Sequence, residues 1–236
     1  MEIGEILSDA IVYPFRNIKA FILYVILGII AGIALGGTIG AILLGTVYKN
    51  VFAVIGSGII GIVITLLIAF VIRGYELDVI KYGINREDDA PGIDLVRQFL
   101  NGVKMFVVNV VYYIIPIIIG SLLAIIFSQW LSILLTIILL IVFAFAAFMG
   151  QCRLAKTEDL LYALSIGEAI GDISKVGFGR LIVFIIAIFV IIFVLSLVVG
   201  FIYQLNATIG QILTGILSVY AVLFIARASG LLYSSV

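Results

Sequence analysis

The chain has 236 residues, 65% of them hydrophobic, and its 13 Lys and Arg balance 13 Asp and Glu. Soluble domains are roughly 45–50% apolar, so this composition excludes a soluble globular fold and, for the opposite reason, a disordered chain. The absence of histidine and a single cysteine, Cys152, exclude disulfide frameworks, histidine-ligated metals and imidazole-based catalysis.

The first 19 residues are amphipathic. Ile3, Ile6, Leu7, Ala10, Ile11 and Pro14 share one helical face, with Glu5, Ser8 and Asp9 opposite. Glu2, Glu5 and Asp9 stand where a signal peptide has basic residues, so no cleavable signal is expected. The charge-free run 20–44 then predicts a first membrane helix, and the runs 51–72, 105–127, 131–149, 181–203 and 209–226 predict five more. Each is near the ~20 residues a bilayer requires. None holds Asp, Glu, Lys or Arg, any of which would cost roughly 2.5–3.5 kcal/mol at the bilayer centre. The runs lack the alternation of barrel strands, which leaves an all-α polytopic bundle.

Between the second and third runs, Glu87-Asp88-Asp89 is read either as oxygen ligands for a divalent cation or, preferably, as a solvated turn. With Pro91 and Gly92 the acids suit a loop entering a helix; Thr157, Glu158 and Asp159 resemble the same device. Two further amphipathic segments follow. Leu95, Val96, Phe99, Leu100 and Val103 mark one face, with Asp94, Arg97 and Gln98 opposite, in register with the first segment; Ile166, Ala169, Ile170 and Ile173 mark the other. Ile3-Gly4-Glu5 aligns with Ile166-Gly167-Glu168 and, at the same offset, Asp9 with Asp172. One offset carries both Asp94 to Glu168 and Arg153 to Arg227, and Arg73 takes the arginine's place in the first unit.

These matches predict a parallel threefold repeat within a single integral membrane domain, with units of about 1–90, 91–164 and 165–236. Each unit would be a short amphipathic cytoplasmic-face helix followed by a hairpin of two spans, six transmembrane helices in all, in a pseudo-threefold bundle. Arg73, Arg153 and Arg227 would mark the cytoplasmic interface. Every Lys and Arg except Lys49, and every acid, falls on one side of the spans. The positive-inside rule therefore predicts a multi-pass cell-membrane protein with both termini cytoplasmic.

Gly28, Gly32, Gly36 and Gly40 recur at every fourth residue, and the second span answers with Ala53, Ser57 and Gly61. The expected reading is the two packing faces of the first hairpin, with a homodimer seam as the alternative. Gly56-Ser57-Gly58-Ile59-Ile60-Gly61 matches a dinucleotide-binding pattern, but it lies inside a span rather than between a strand and a helix, so it too reads as packing. Pro116 predicts a bend in the third span. With Asn109 and Gln211 it forms the candidate hinge and pathway of a transporter; the alternative is that Asn109, Ser121, Thr136, Gln151, Ser196, Gln211 and Thr214 bond across helices. Cys152 reads as a buried filler. No catalytic, cofactor or metal residues are predicted, because the spans contain no paired carboxylates and all lysines lie outside them.

The stretch GYELDVIKYGINREDDAPGIDLVRQFLNGVKMFVVNVVYYIIP, from Gly74 to Pro116, resembles an uncharacterised prokaryotic membrane family, domain of unknown function 4013, frequent in methanogenic archaea. The matching pieces are Gly74-Tyr75, the Pro91 turn, Gly102 with Lys104, and Tyr113 followed by Pro116; after the loop proline this chain has Gly92-Ile93-Asp94 where the family often has an aromatic residue. The resemblance implies a multi-pass membrane protein of archaeal origin and no particular activity. The function expected is a non-enzymatic scaffold, assembly or lipid-organising role exerted through the cytoplasmic face, the alternative being a transporter or channel for an uncharged or lipid-like solute. The expected partners are membrane lipids and a membrane-protein partner or second copy, with no cofactor and no nucleic acid.

Overall fold

The computed structural model describes residues 1–236 except the side chain of Ala53, so that part of the second-span packing row lies outside the described residues. The elements are α1 (Ile3–Arg16), α2 (Ile18–Val47), α3 (Val51–Asn85), α4 (Leu95–Ile126), α5 (Gln129–Thr157), α6 (Leu160–Ala163), α7 (Ile166–Val176), α8 (Phe178–Leu205) and α9 (Ala207–Tyr233), with no strand among the described residues. Six of them, α2, α3, α4, α5, α8 and α9, are long and apolar enough to cross a membrane. Helices meet that demand because each satisfies its backbone groups internally. Short links make neighbours pack: α2 lies on α3, α4 on α5 and α8 on α9. Local chemistry sets the joints. Lys49 takes a left-handed φ of 54° after α2, and Asp94 and Asn206 accept the backbone N–H of Arg97 and Ile209 at the starts of α4 and α9.

The helices outrun the apolar segments. Past Ile72, α3 continues to Asn85, and α5 and α9 likewise reach Thr157 and Tyr233. These extensions, together with α1 and α7, build the core. Ile6, Ala10, Val79, Cys152, Ala169, Phe224 and Leu232 are all fully or almost fully buried there. At the opposite end Phe52, Ile125, Trp130 and Leu205 are exposed. The molecule is therefore knit together at its charge-bearing end, while its other end presents apolar side chains to the surroundings.

Only two of the three amphipathic segments form separate helices. The buried face of α1, with Ile6, Ala10 and Tyr13, lies on α9, and that of α7, with Ala169, Ile173 and Val176, lies on α5. The segment from Leu95 is instead the first turns of α4, and it is rotated away from the expected orientation. Leu95, Val96 and Leu100 face out, while Gln98 and Asn101 are buried. The cause is the crossing of α3 and α4. A Cβ on Gly74 would lie 1.6 Å from the backbone oxygen of Gln98, and one on Gly102 would lie 1.9 Å from that of Phe70. Two backbones this close fix the rotation of α4, and its amides turn inward onto α3.

The glycine row of α2 also differs from expectation. A Cβ at Gly32, Gly36 or Gly40 would meet nothing within 4 Å, and one at Gly28 would meet only Val219 of α9, at 3.8 Å. The contact with α3 uses another row: Gly61 faces Thr38 and Gly58 faces Ile42. Residues two apart on a helix point about 200° apart, so Thr38 stands nearly opposite Gly36 and Gly40. Ser57 and the whole dinucleotide-like pattern lie within α3. Pro116 is buried within α4, which runs through it to Ile126.

Candidate functional site

Arg153 stands near the end of α5, almost wholly buried. Its Nη1 donates to Asp172 Oδ2 at 2.9 Å, its Nη2 to Glu168, and its Nε to the Tyr162 carbonyl at 3.2 Å. The guanidinium lies 3.8 Å from the centre of the Tyr162 ring. The local sequence prepares this cradle. Glu158 ends α5 with a left-handed φ of 57°, and Asp159 caps α6, which brings Tyr162 back over the arginine. On α7, Glu168 and Asp172 are four residues apart and so share a face. Asp172 also accepts from the Tyr233 hydroxyl and from Lys175 Nζ, each at 2.6 Å. Burial acts to raise this carboxyl, but the hydrogen bonds from Lys175, Tyr233 and Arg153 outweigh it and hold it below the usual aspartate range. One aspartate thus ties α5, α7 and α9 together.

Arg227 repeats the arrangement on α9. Its Nε donates to Asp9 Oδ1 at 2.8 Å, its Nη2 to Asp88 Oδ1 at 3.1 Å and its Nη1 to the Glu87 carbonyl. Tyr13 provides an aromatic face 5.0 Å away. Burial, opposed by the Arg227 charge, pushes the Tyr13 hydroxyl up to about 12. Glu87 and Asp88, weighed above as cation ligands, instead receive this arginine, and no cluster of metal-ligating groups occurs among the described residues.

Arg73 behaves differently. Its side chain is 59% exposed and bonds Glu76 alone among the described residues, Nη1 to Oε2 at 2.7 Å. The acid at this junction sits on the opposite partner: Asp78 of α3 is buried and accepts from Gln98 Nε2 at 3.3 Å, Asn101 Nδ2 at 3.2 Å and Arg97 Nη1 at 3.3 Å. Lys81 of α3 and Lys104 of α4 both reach Glu158, at the side chain and the carbonyl respectively. The Lys81 hydrogen bond, opposed by partial burial, keeps the Glu158 carboxyl below its usual range.

The remaining sequence-derived candidates do not converge on these groups. Asn109 and Gln151 bond one another across α4 and α5 at 2.8 Å. Gln211 lies apart, in a groove of about 620 Å³ between α2 and α9 that it shares with Gly28, Gly32 and Gly215. From the sequence, Asp172 and Gln98 are only repeat and polar-face positions, and Asp78 and Asn101 are not singled out as site residues. Their signal was there: Asp172 is three residues after Ala169 and four before Val176, which puts a carboxylate on the face an amphipathic helix buries. Chemically, the assembled groups are arginine–carboxylate pairs and amide–carboxylate bonds, a set suited to fastening helices.

An all-helical bundle with six membrane-length apolar helices, closed at one end by buried ion pairs, is a multi-pass membrane architecture. Residues 57–204 match the family described as "Protein of unknown function (DUF4013)", and the chain belongs to that family. No curated protein and no solved structure matches it.

Proposed function

We propose that this protein is a non-enzymatic membrane scaffold, an assembly or lipid-organising component whose working surface is its cytoplasmic face. In this reading the charge-bearing end is cytoplasmic, because it holds every basic residue except Lys49. The three units form a closed pseudo-threefold ring. The supporting pattern is cyclic: α1 packs on α9, the start of α4 on α3 and α7 on α5, so each entering segment rests on the outgoing helix of the unit before it. The observation that carries the reading is the double clamp of Arg153 and Arg227, which commits the buried charges of this face to rigidity. A rigid plate joined to loosely associated apolar hairpins suits a platform for other membrane components. A transporter for an uncharged or lipid-like solute is the second reading, supported by the groove around Gln211.

Gentle extraction from the native membrane followed by native mass spectrometry tests the proposal. A stoichiometric protein partner, lost when the exposed acid Asp89 is reversed to lysine, is the expected result. A lone chain or homo-oligomer that retains a defined solute, and moves it across proteoliposomes, overturns it in favour of transport.

A further inference from the structure

Arg153 and Arg227 each use Nε, Nη1 and Nη2 on protein acceptors, and each meets an aspartate of an amphipathic helix, Asp172 or Asp9. Arg73 occupies the matching position in α3, yet Gln98 stands where the matching aspartate would be, and it turns to Asp78 instead. The Arg73 guanidinium is left with Glu76 on Nη1 and free donors at Nε and Nη2 among the described residues. It is also the first charged residue after the apolar run 51–72, the level at which a bilayer places its phosphates. From it a groove of about 530 Å³ descends between α3 and α4, walled by Leu66, Ala69, Phe70, Met105, Phe106 and Asn109. Leu66 lies about 10 Å deeper along the helix at 1.5 Å per residue, the direction an acyl chain takes from its headgroup.

We propose that Arg73 and this groove bind one anionic phospholipid, its phosphate on the open edge of the guanidinium and an acyl chain against Leu66, Ala69, Phe70 and Phe106. The lipid phosphate takes the place beside Arg73 that Asp172 and Asp9 hold beside Arg153 and Arg227. Arginine suits the task because its planar fork bonds two phosphate oxygens at once, and a lipid fits better than free phosphate because the walls below the guanidinium are apolar except for Asn109. This inference stands independently of the scaffold reading.

The test titrates the detergent-solubilised full chain with phosphatidylglycerol or phosphatidylcholine and counts bound lipid by native mass spectrometry. Phosphatidylglycerol should bind roughly ten-fold more tightly, because phosphatidylcholine carries beside the same phosphate a choline cation that the guanidinium repels. Arg73→Gln should abolish that margin, and Glu76→Gln, which releases the arginine from its rival, should widen it. Should the lone Arg73→Gln variant fail to fold around a buried Glu76, the Arg73→Gln/Glu76→Gln pair removes both charges and should also show no preference. Ala69→Trp, which fills the groove, should weaken phosphatidylglycerol binding. Equal binding of the two lipids by the unaltered chain overturns the proposal, as does a preference that survives loss of Arg73. Displacement of the lipid by inorganic phosphate, with Ala69→Trp without effect, overturns the lipid as occupant.

Discussion

Arg227 of α9 and Asp9 of α1 meet at 2.8 Å although 218 residues separate them, and the contact closes the first helix onto the ninth. Removing Asp9 leaves the buried Arg227 guanidinium with an unpaired Nε, held only by the Glu87 carbonyl and the exposed Asp88. Asp9→Leu should therefore lower stability by roughly 1–3 kcal/mol, while Arg227→Met added to it should recover most of the loss. Thermal unfolding of the three proteins in one detergent is the measurement; an Asp9→Leu variant as stable as the parent would show that the clamp holds nothing.

Acid should loosen the other clamp. The Asp172 carboxyl is held below its ordinary value, so the folded state binds its proton less readily than the unfolded state does. Its contribution is complete above the ordinary aspartate range, near pH 4, and is lost as pH falls through the depressed folded value. Glu158, shifted in the same direction, adds to the trend. Melting temperatures followed from neutral pH down to about pH 3 should fall less steeply for Asp172→Asn than for the parent, from a lower starting point. Parallel curves would contradict the assignment.

Glycine substitutions should separate the two kinds of glycine. Gly74→Ala and Gly102→Ala drive a methyl into a facing backbone carbonyl and should cost about 1–3 kcal/mol or more, whereas Gly32→Ala and Gly36→Ala enter open space. Helix propensity alone makes the latter pair neutral or slightly stabilising. Detergent stability of the four variants decides between this ranking and a glycine-lined hairpin, which predicts the reverse order.

Asn109 and Gln151 should behave as a bonded pair. A double-mutant cycle with Asn109→Leu and Gln151→Leu should give a coupling of about 0.6 kcal/mol, the average for hydrogen bonds between membrane helices. Additive effects would return Asn109 to the candidate pathway.

The six membrane helices were legible because apolar length and missing charge are properties of the chain alone. The end at which the molecule packs was legible in outline, since the charges gather there. Rotation was not. The row at Gly28, Gly32, Gly36 and Gly40 is the most regular small-residue pattern in α2, yet the contact runs through Thr38, because the partner's position selects the face and no local signal records it. The start of α4 is rotated for the same reason: Leu95, Val96 and Leu100 have the spacing of a buried stripe, but the close crossing at Gly74 and Gly102 and the buried Asp78 required amides inward. In the α2 row, at bilayer depth, apolar side chains can face outward at little cost, so hydrophobic periodicity loses there the authority it has in water. Gly74 and Gly102, which carried the family resemblance, proved to be the backbone crossing itself.

The seat of α1 has a consequence for how the molecule is made. A ribosome delivers α1 first and α9 only after seven intervening helices, and domains take shape in that order as they emerge. Until α9 is in the membrane, Ile6, Ala10 and Tyr13 have no surface to cover them. A nascent chain stalled before α9 would carry α1 with the apolar face that α9 covers still bare. When Arg227 arrives, by contrast, its acceptors Asp9, Glu87 and Asp88 have all been synthesised, so the insertion of α9 and the burial of α1 become one event.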